Sequence, residues 1–216
     1  MRKVDYLVIG AGSGGIASAR RAAQYGKKVV LIENKVVGGT CVNVGCVPKK
    51  VMFNLATFWE DAHLLMPHYA VTNTDKLKLD FLKFKKARDA YVSRLNDIYQ
   101  ANLKNSEVDF VQGLAQFTGP QRVQVRGTDQ VFDSEHILIA SGSEPRPPSF
   151  QGADLCMNSN DFFSMEELPK SMAVIGAGYI GVELAQILQA LGVEVTLIVR
   201  SRPLRFLDQD ILDILI

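Results

Sequence analysis

The sequence predicts an α/β fold that contains two strand–turn–helix–strand units of the same design. In each unit a short apolar run ends in a glycine-rich turn. A helical pattern and a second apolar run follow in each case. Short apolar runs bounded by glycine are typical of strands in a parallel sheet, because such strands are buried on both faces.

The first unit opens the chain. Val4–Ile9 is predicted to be a strand, and an alanine-rich helix is predicted from Ile16 to Tyr25. A second strand is predicted over Val29–Ile32, and Glu33 follows it directly. The connecting turn is Gly10-Ala11-Gly12-Ser13-Gly14-Gly15.

The glycines of this turn match the dinucleotide-binding pattern G-x-G-x-x-G at Gly10, Gly12 and Gly15. They permit a tight turn, close approach of the backbone to a pyrophosphate, and close packing of helix on strand. The phosphates are then held at the helix N-terminus, where free N–H groups favour anions. Glu33 stands where a carboxylate accepts a hydrogen bond from a ribose hydroxyl. We therefore predict a Rossmann-like dinucleotide-binding unit.

The middle of the chain combines two long helical patterns with several short strands. Helices are predicted over Val51–Met66 and Phe81–Leu103. The second helix is predicted to place one group of apolar residues near one face: Phe81, Phe84, Tyr91, Leu95, Ile98 and Tyr99. Short strands or hairpins are predicted at Val108–Phe117, Arg122–Val125 and Gln130–Phe132, and a buried strand at His136–Ala140. Pro145, Pro147 and Pro148 mark the best candidate for a linker.

The second unit repeats the first. Strands at Met172–Ile175 and Val195–Val199 flank a helix over Val182–Leu191. The turn between them is Gly176-Ala177-Gly178-Tyr179-Ile180-Gly181. Since the sequence stops soon after the second strand, we expect this Rossmann-like unit to be truncated and the chain to be a fragment. The expected domains are therefore residues 1–148, which bind one dinucleotide, and residues 149–216, which begin a second such domain.

Arg200 occupies the place in the second unit that Glu33 occupies in the first. An arginine pairs with a 2′-phosphate that a carboxylate would repel, so NADPH is predicted over NADH. Arg202 and Arg205 add positive charge nearby. The alternative for Arg200 is a solvated surface side chain. Gly181 is a conflicting cue, since NADPH sites often have alanine there.

Composition excludes several functional classes. With 47% hydrophobic residues, 22% charged residues and a net charge of +1, neither nucleic-acid binding nor membrane attachment is expected. No apolar run has the length of a membrane span or a signal peptide, so a cytoplasmic location is predicted, with mitochondria or another organelle as alternatives.

The cysteine segment Gly38–Lys50 indicates the chemistry. Four residues separate Cys41 from Cys46, more than one turn of a regular helix, so a disulfide between them requires a distorted backbone that Gly45 permits. An accessible, strained disulfide is typically catalytic, and Lys49 and Lys50 favour a thiolate. The alternative is a zinc site, but no second ligand pair follows, so no metal is expected. Cys156 is predicted to be a packed, inert thiol.

With these motifs the sequence resembles the FAD-dependent pyridine nucleotide–disulfide oxidoreductases, and within them the glutathione reductases, over essentially its whole length. The resemblance implies that Cys46 lies against the flavin and that Cys41 attacks the substrate disulfide. It implies that Lys49, paired with Glu183, lies near the reactive flavin nitrogen and that Tyr179 covers the nicotinamide pocket. The implied FAD contacts are Gly10, Gly12, Ser13, Gly14, Gly15, Glu33, Thr40, Ser141 and Gly142. The implied NADPH contacts are Gly176, Gly178, Tyr179, Ile180, Gly181, Arg200 and Arg205.

The resemblance also indicates glutathione disulfide as the substrate. Tyr91 and Tyr99 stand where the glutathione reductases contact glutathione, although an aromatic stripe at this spacing is more often core. Ser13 and Arg20 are further implied contacts. Trypanothione reductases carry Glu and Trp where this chain has Ala17 and Arg20, and Arg20 offers a charge partner to an anionic substrate.

Some features depart from the family or are missing. The Arg200–Arg205 segment is one residue shorter than usual, which leaves Arg202 or Arg205 as the second phosphate contact. The dimerisation domain is absent, as is the histidine base that the partner subunit of a homodimer contributes; none of His63, His68 and His136 matches its motif. We therefore expect this chain to be inactive alone. The alternatives are a dihydrolipoamide dehydrogenase, a thioredoxin or trypanothione reductase, or a non-catalytic truncation product.

Overall fold

The computed structural model describes residues 1–215 and divides the chain into two compact units. The first unit combines Met1–Pro48 with Arg88–Asn158. The second combines Lys49–Ala87 with the part of the chain that begins at Ser159. The domain bounds predicted from the sequence, 1–148 and 149–216, stay a prediction.

The helices and strands alternate along much of the chain. The helices are α1 (Ser13–Gln24), α2 (Gly39–Val44), α3 (Cys46–Leu64), α4 (Phe81–Asn105), α5 (Ser159–Phe162), α6 (Tyr179–Ala190) and α7 (Gln209–Leu215). The strands are β1 (Arg2–Lys3), β2 (Tyr6–Ile9), β3 (Val29–Glu33), β4 (Asp109–Gln112), β5 (Ala115–Gly119), β6 (Arg122–Val125), β7 (Val131–Asp133), β8 (His136–Ile139), β9 (Ser171–Ile175) and β10 (Glu194–Ile198). Short 3₁₀ helices cover Met66–Tyr69, Thr74–Lys76 and Ala153–Leu155. The predicted α/β class with parallel strands is confirmed.

The first unit is organised around a parallel sheet in the order β4-β3-β2-β8. Every residue of β3 is buried because both faces of the strand are covered. Leu31 belongs to a core cluster with residues of α1 and α4, whereas Val30 belongs to a second cluster with residues of β6 and β7. Successive side chains of β3 point to opposite faces of the sheet, so this strand contributes residues to both hydrophobic clusters.

A second sheet, in the order β1-β7-β6-β5, contributes residues of β6 and β7 to the cluster that contains Val30. Its β1–β7 pair is parallel and its other pairs are antiparallel. The region predicted as short strands or hairpins over Val108–Phe117 forms two strands, of which β4 belongs to the parallel sheet and β5 to this one. Gly113, with φ of 152°, lies at the break.

The second unit contains the parallel pair β9–β10, with Ser171 beside Glu194. Helix α6 packs against both strands and buries Leu184, Ala185, Ile187 and Leu188. Strand, turn, helix and strand follow one another here as they do in β2, α1 and β3. The repeat predicted from the sequence is therefore present.

The long helix α4 buries only part of the predicted face, since Phe81 is buried and Tyr99 packs against the core. Its buried positions are Phe81, Arg88, Asn96 and Leu103, which recur about every two helical turns. Tyr91 and Ile98 are 45% and 41% exposed. The apolar pattern missed part of the buried face because two of the buried positions, Arg88 and Asn96, are polar.

Three further expectations are corrected. Helix α3 begins at Cys46 rather than Val51, because a helix tolerates Pro48 in its first turn. Strand β8 is only partly buried, with Ile139 64% exposed, since it lies at the sheet edge. Cys156 is exposed rather than packed, because it lies in a segment with few buried residues.

Candidate functional site

The first glycine turn lies at the carboxyl ends of β2, β3 and β8. The N–H of Gly10 donates to the carbonyl of Ile32 at 2.8 Å, and the N–H of Ala140 donates to that of Ile9 at 2.8 Å. Ligands of open parallel sheets bind at this edge. Gly10 has φ of 107°, and a Cβ atom at Gly15 would overlap the carbonyl oxygen of Gly10. The first and third glycines of the motif are therefore required by the backbone itself.

Glu33 is buried at this edge and is held by backbone amides. Its Oε2 accepts from the N–H of Ala11 at 2.6 Å, and its Oε1 accepts from that of Lys35 at 2.7 Å. The carboxylate thus fixes the turn and the start of the next loop. A carboxylate oxygen accepts more than one hydrogen bond, so the ribose contact stays a prediction.

The cysteine loop is attached directly to the glycine turn. The N–H of Gly38 donates to the carbonyl of Ala11 at 2.8 Å. A Cβ atom at Gly39 would lie 2.7 Å from Cα of Gly12, so the two backbones touch. This contact places α2, and Cys41 within it, beside the N-terminus of α1.

The backbone distortion predicted between the cysteines is present at Gly45. Helix α2 ends before this residue and α3 begins after it, so Cys41 and Cys46 lie on different helices. A Cβ atom at Gly45 would lie 2.8 Å from the carbonyl oxygen of Thr40. The absence of a side chain therefore allows the chain to fold back between the two thiols.

The two cysteines are free thiols in contact with each other. Cys41 is partly buried and Cys46 is exposed. The hydrogen bond with the side chain of Cys46 raises the pKa of the Cys41 thiol, and burial raises it further. Cys41 thus keeps its proton to higher pH than an unperturbed thiol, and it contacts a second thiol with which an oxidant could join it in a disulfide.

Two asparagines that the sequence analysis did not single out connect this loop to α4. The side-chain amide of Asn96 donates to Oδ1 of Asn43 at 2.9 Å and to the carbonyl of Val37 at 2.7 Å. Asn43 donates in turn to the carbonyl of Gly39 at 2.9 Å. The sequence carries no local signal for this contact, because Asn43 and Asn96 lie 53 positions apart along the chain.

The other residues predicted to contact FAD lie in three places: the first turn of α1, helix α2 and the segment after β8. Ser13 and Gly14 are exposed in the first turn of α1, and Thr40 is exposed beside Cys41. Ser141 and Gly142 follow β8, and a Cβ atom at Gly10 would lie 3.2 Å from Cα of Ser141. The structure thus brings Ser141 to the glycine turn.

The residues predicted to bind substrate have other contacts. Nε of Arg20 donates to Oγ of Ser106 at 3.0 Å, and Tyr99 packs against the core cluster that includes Leu103. Tyr91 is exposed on α4. Within residues 1–215, no hydrogen bond joins Arg20, Tyr91 or Tyr99 to the cysteine loop.

The second glycine turn repeats the geometry of the first. The N–H of Gly176 donates to the carbonyl of Ile198 at 3.0 Å, as Gly10 does to Ile32. A Cβ atom at Gly181 would overlap the carbonyl oxygen of Gly176. Tyr179 and Ile180 open α6 and are 59% and 43% exposed. Two turns of different sequence context thus share one backbone design.

The same unit contains the predicted ion pair. Nζ of Lys49 lies 2.9 Å from Oε1 of Glu183, and the side chains are 26% and 41% exposed. Lys49 belongs to α3 and Glu183 to α6. The pair is present as expected, while its role beside a flavin stays a prediction.

The arginine segment is attached to its own glycine turn. The N–H of Leu204 donates to the carbonyl of Ala177 at 2.8 Å, which repeats the bond between Gly38 and Ala11. Arg200, Arg202 and Arg205 are exposed. Arg202 donates to the carbonyl of Leu207 at 3.3 Å, whereas no hydrogen bond or ion pair within the described chain involves Arg200 or Arg205.

No group of three or more His, Cys, Asp or Glu side chains in residues 1–215 is arranged to hold a metal ion. No helix in the same part of the chain is long and apolar enough to cross a membrane.

Comparison with known proteins agrees with this geometry. Two proteins named glutathione reductase, from Debaryomyces hansenii and Yarrowia lipolytica, are each 46% identical to the chain and match 98% and 92% of it. The matches take in 48% and 44% of those relatives, so the chain spans about half the length of the curated relatives it matches. A family model described as pyridine nucleotide-disulphide oxidoreductase matches residues 4–216. The chain therefore belongs to the pyridine nucleotide-disulphide oxidoreductase family.

Proposed function

We propose that the chain carries the flavin-binding, nicotinamide-binding and disulfide-exchange parts of an NADPH-dependent reductase of glutathione disulfide. The observation that carries this proposal is the contact of Cys41 with Cys46 in a loop attached to a dinucleotide-binding turn. The names of the relatives from Debaryomyces hansenii and Yarrowia lipolytica support the choice of substrate.

The residues of the first unit fit FAD. The glycine turn leaves open space at Gly14, where an added Cβ atom would meet nothing within 4 Å. The N-terminus of α1 has no side-chain cap, so its N–H groups are suited to a pyrophosphate. Glu33 would accept a hydrogen bond from the ribose, and Ser13, Thr40, Ser141 and Gly142 would contact FAD at the same edge. Bound FAD would supply a two-electron relay between a nicotinamide and the cysteine pair.

The residues of the second unit fit NADPH. The turn from Gly176 to Gly181 would receive the pyrophosphate, and Tyr179 lies exposed at the start of α6. Lys49, held by Glu183, would place a positive charge near the flavin ring. Arg200 and Arg205 are exposed and available to a 2′-phosphate, whereas Arg202 is engaged by Leu207. We therefore assign Arg205, rather than Arg202, as the second phosphate contact.

The cysteine pair performs the exchange with substrate. The Cys41 thiolate attacks one sulfur of the substrate disulfide, forms a mixed disulfide, and releases the first product as a thiolate that takes up a proton. The Cys46 thiolate then attacks the sulfur of Cys41, which restores the Cys41–Cys46 disulfide and releases the second thiol. Because its pKa is raised, Cys41 requires a base to remove its proton before the attack.

Substrate recognition rests on charge and on aromatic contacts. Arg20 offers a cation to an anionic disulfide, and Tyr91 is an exposed ring on α4.

The expected oligomer is a homodimer, and the expected location is the cytoplasm or an organelle such as the mitochondrion.

The test compares disulfides and nicotinamides in a steady-state assay. We expect NADPH-dependent reduction of glutathione disulfide by the protein that contains this chain, with little activity toward lipoamide, trypanothione or thioredoxin. The chain alone is expected to give no turnover. If that protein reduced another disulfide in preference to glutathione disulfide, the proposed substrate would be wrong. If it reduced none of these disulfides, the proposal as a whole would be wrong.

A further inference from the structure

We propose that Asn43 and Asn96 are positioning residues that set the thiol–disulfide equilibrium of Cys41 and Cys46. The proposal rests on the proposed function, since it concerns the same cysteine pair. It extends that function by assigning the geometry of the pair to two side-chain amides that are hydrogen-bonded to each other.

The first argument is the small size of α2. This helix has six residues, and its N-cap, Gly38, provides no side-chain hydrogen bond. Helices this short are unstable in isolation, because few hydrogen bonds offset the cost of nucleation. The position of Cys41 within α2 is therefore set by contacts that the helix makes with its surroundings.

The second argument is the direction of the amide contacts. Asn96 donates both to Asn43 at 2.9 Å and to the carbonyl of Val37 at 2.7 Å. Asn43 donates to the carbonyl of Gly39 at 2.9 Å and accepts from Asn96 through its oxygen. A continuous set of hydrogen bonds therefore runs from α4 through Asn43 to both the start and the middle of the cysteine loop.

The third argument is the location of the two side chains. Asn96 is 9% exposed on the buried face of α4, a place where an apolar side chain would pack without needing a partner. Asn43 stands between the two cysteines in sequence. Because the Asn96 amide nitrogen donates to two acceptors and is buried, it favours one arrangement of the segment it contacts, and this network holds Cys41 within reach of Cys46.

The consequence concerns the free energy of the disulfide. When the two thiols are held together, the effective concentration of one toward the other is high and the disulfide is favoured. Without the amide contacts, α2 moves more freely and the dithiol state gains population. The predicted change is therefore toward easier reduction.

The test measures this equilibrium in the full chain by incubation in dithiothreitol buffers of defined ratio. Oxidised dithiothreitol takes two electrons and two protons from the Cys41 and Cys46 thiols as their S–S bond forms, and becomes the dithiol. Rapid alkylation and mass spectrometry then give the fraction oxidised. We expect Asn96→Leu and Asn43→Ala each to lower the equilibrium constant for disulfide formation by about threefold or more.

The matched control is Ser134→Ala. Ser134 is 2% exposed and donates from Oγ to the carbonyl of His136 at 3.0 Å, so its loss also removes a buried hydrogen bond. We expect this variant to lower the unfolding temperature without moving the equilibrium. The double variant of Asn43 and Asn96 is expected to shift the equilibrium by less than the two single shifts combined, since both act through one network.

An equilibrium that is unchanged in the asparagine variants, or that moves equally in Ser134→Ala, would overturn the positioning role and leave the proposed function intact. A shift toward the disulfide would also overturn it. If the unaltered chain forms no Cys41–Cys46 disulfide in any buffer, both the positioning role and the proposed function are wrong.

Discussion

The ammonium group of Lys49 lies 2.9 Å from the carboxylate of Glu183, although 134 residues separate the two along the chain. Both side chains are partly exposed, and ion pairs of this kind contribute less than about 1 kcal/mol to folding stability. Since the pair contributes so little to stability, we propose that its role is the charge that it would place near a cofactor.

Replacement of Glu183 by Gln tests this explanation. The variant keeps the shape of the side chain but leaves the charge of Lys49 without its partner. We expect the rate of flavin reduction by NADPH to fall about tenfold, which corresponds to the loss of one charge-assisted hydrogen bond. The unfolding temperature is expected to change little. Stopped-flow absorbance gives the rate of flavin reduction. An unchanged rate would show that the Lys49–Glu183 pair does not contribute to this step.

The pKa of Cys41 predicts how its reactivity depends on pH. The hydrogen bond with Cys46 is the largest cause of the raised pKa, so Cys46→Ala lowers the pKa of Cys41. More of the thiolate is then present at a given pH below the pKa. We therefore expect Cys41 of the reduced variant to react faster with iodoacetamide at pH 7–8 than Cys41 of the reduced unaltered chain, as followed by peptide mass spectrometry. Slower alkylation in the variant would show that Cys46 promotes ionisation of Cys41.

Substitutions at two neighbouring glycines of α1, Gly14 and Gly15, are expected to affect cofactor binding and folding differently. A Cβ atom at Gly15 would overlap the backbone of Gly10, whereas one at Gly14 would meet nothing within 4 Å. Gly15→Ala is expected to destabilise the fold by more than about 3 kcal/mol. Gly14→Ala is expected to retain stability, or to gain up to about 1 kcal/mol, and yet to bind FAD more weakly.

Urea unfolding and flavin titration measure these two effects. If Gly14→Ala bound FAD as tightly as the unaltered chain, the pyrophosphate would not lie over the first turn of α1. Equal stability of the Gly14→Ala and Gly15→Ala variants would contradict the packing of helix on turn.

The arginine segment predicts nucleotide preference. Arg200→Glu and Arg205→Glu are each expected to weaken NADPH binding by roughly 1.5–3 kcal/mol while NADH binding changes little. Arg202→Glu serves as the control, because its guanidinium is already bonded to the carbonyl of Leu207. Calorimetric titration of NADPH and NADH into each variant measures both binding free energies. An effect of Arg202→Glu larger than that of Arg205→Glu would reverse our assignment.

Local patterns in the sequence were enough to predict the two repeated units. The glycine turns, their flanking strands and their helices follow from short-range rules, and the structure places them within a few residues of the expected bounds. The break between α2 and α3 at Gly45 was also predictable, because two cysteines at that spacing cannot pair on a regular helix.

Features that depend on distant contacts could not be predicted in this way. The buried face of α4 was predicted only in part, because Arg88 and Asn96 are polar and hydrophobic periodicity ignores them. The bond between Asn96 and Asn43 spans 53 residues, and no local rule connects such positions. The pairing of Lys49 with Glu183 was expected only from resemblance to a family. Tertiary packing, rather than local propensity, decides these contacts.

The most direct test of the central claim is the visible spectrum of the protein with FAD, recorded anaerobically before and after reduction by dithionite. We predict a bound flavin and, on reduction, a long-wavelength absorption band from the thiolate of Cys46 against the flavin ring. The band should persist in Cys41→Ser and disappear in Cys46→Ser. A protein that binds flavin but shows no such band, or one whose band depends on Cys41 instead of Cys46, would contradict the account.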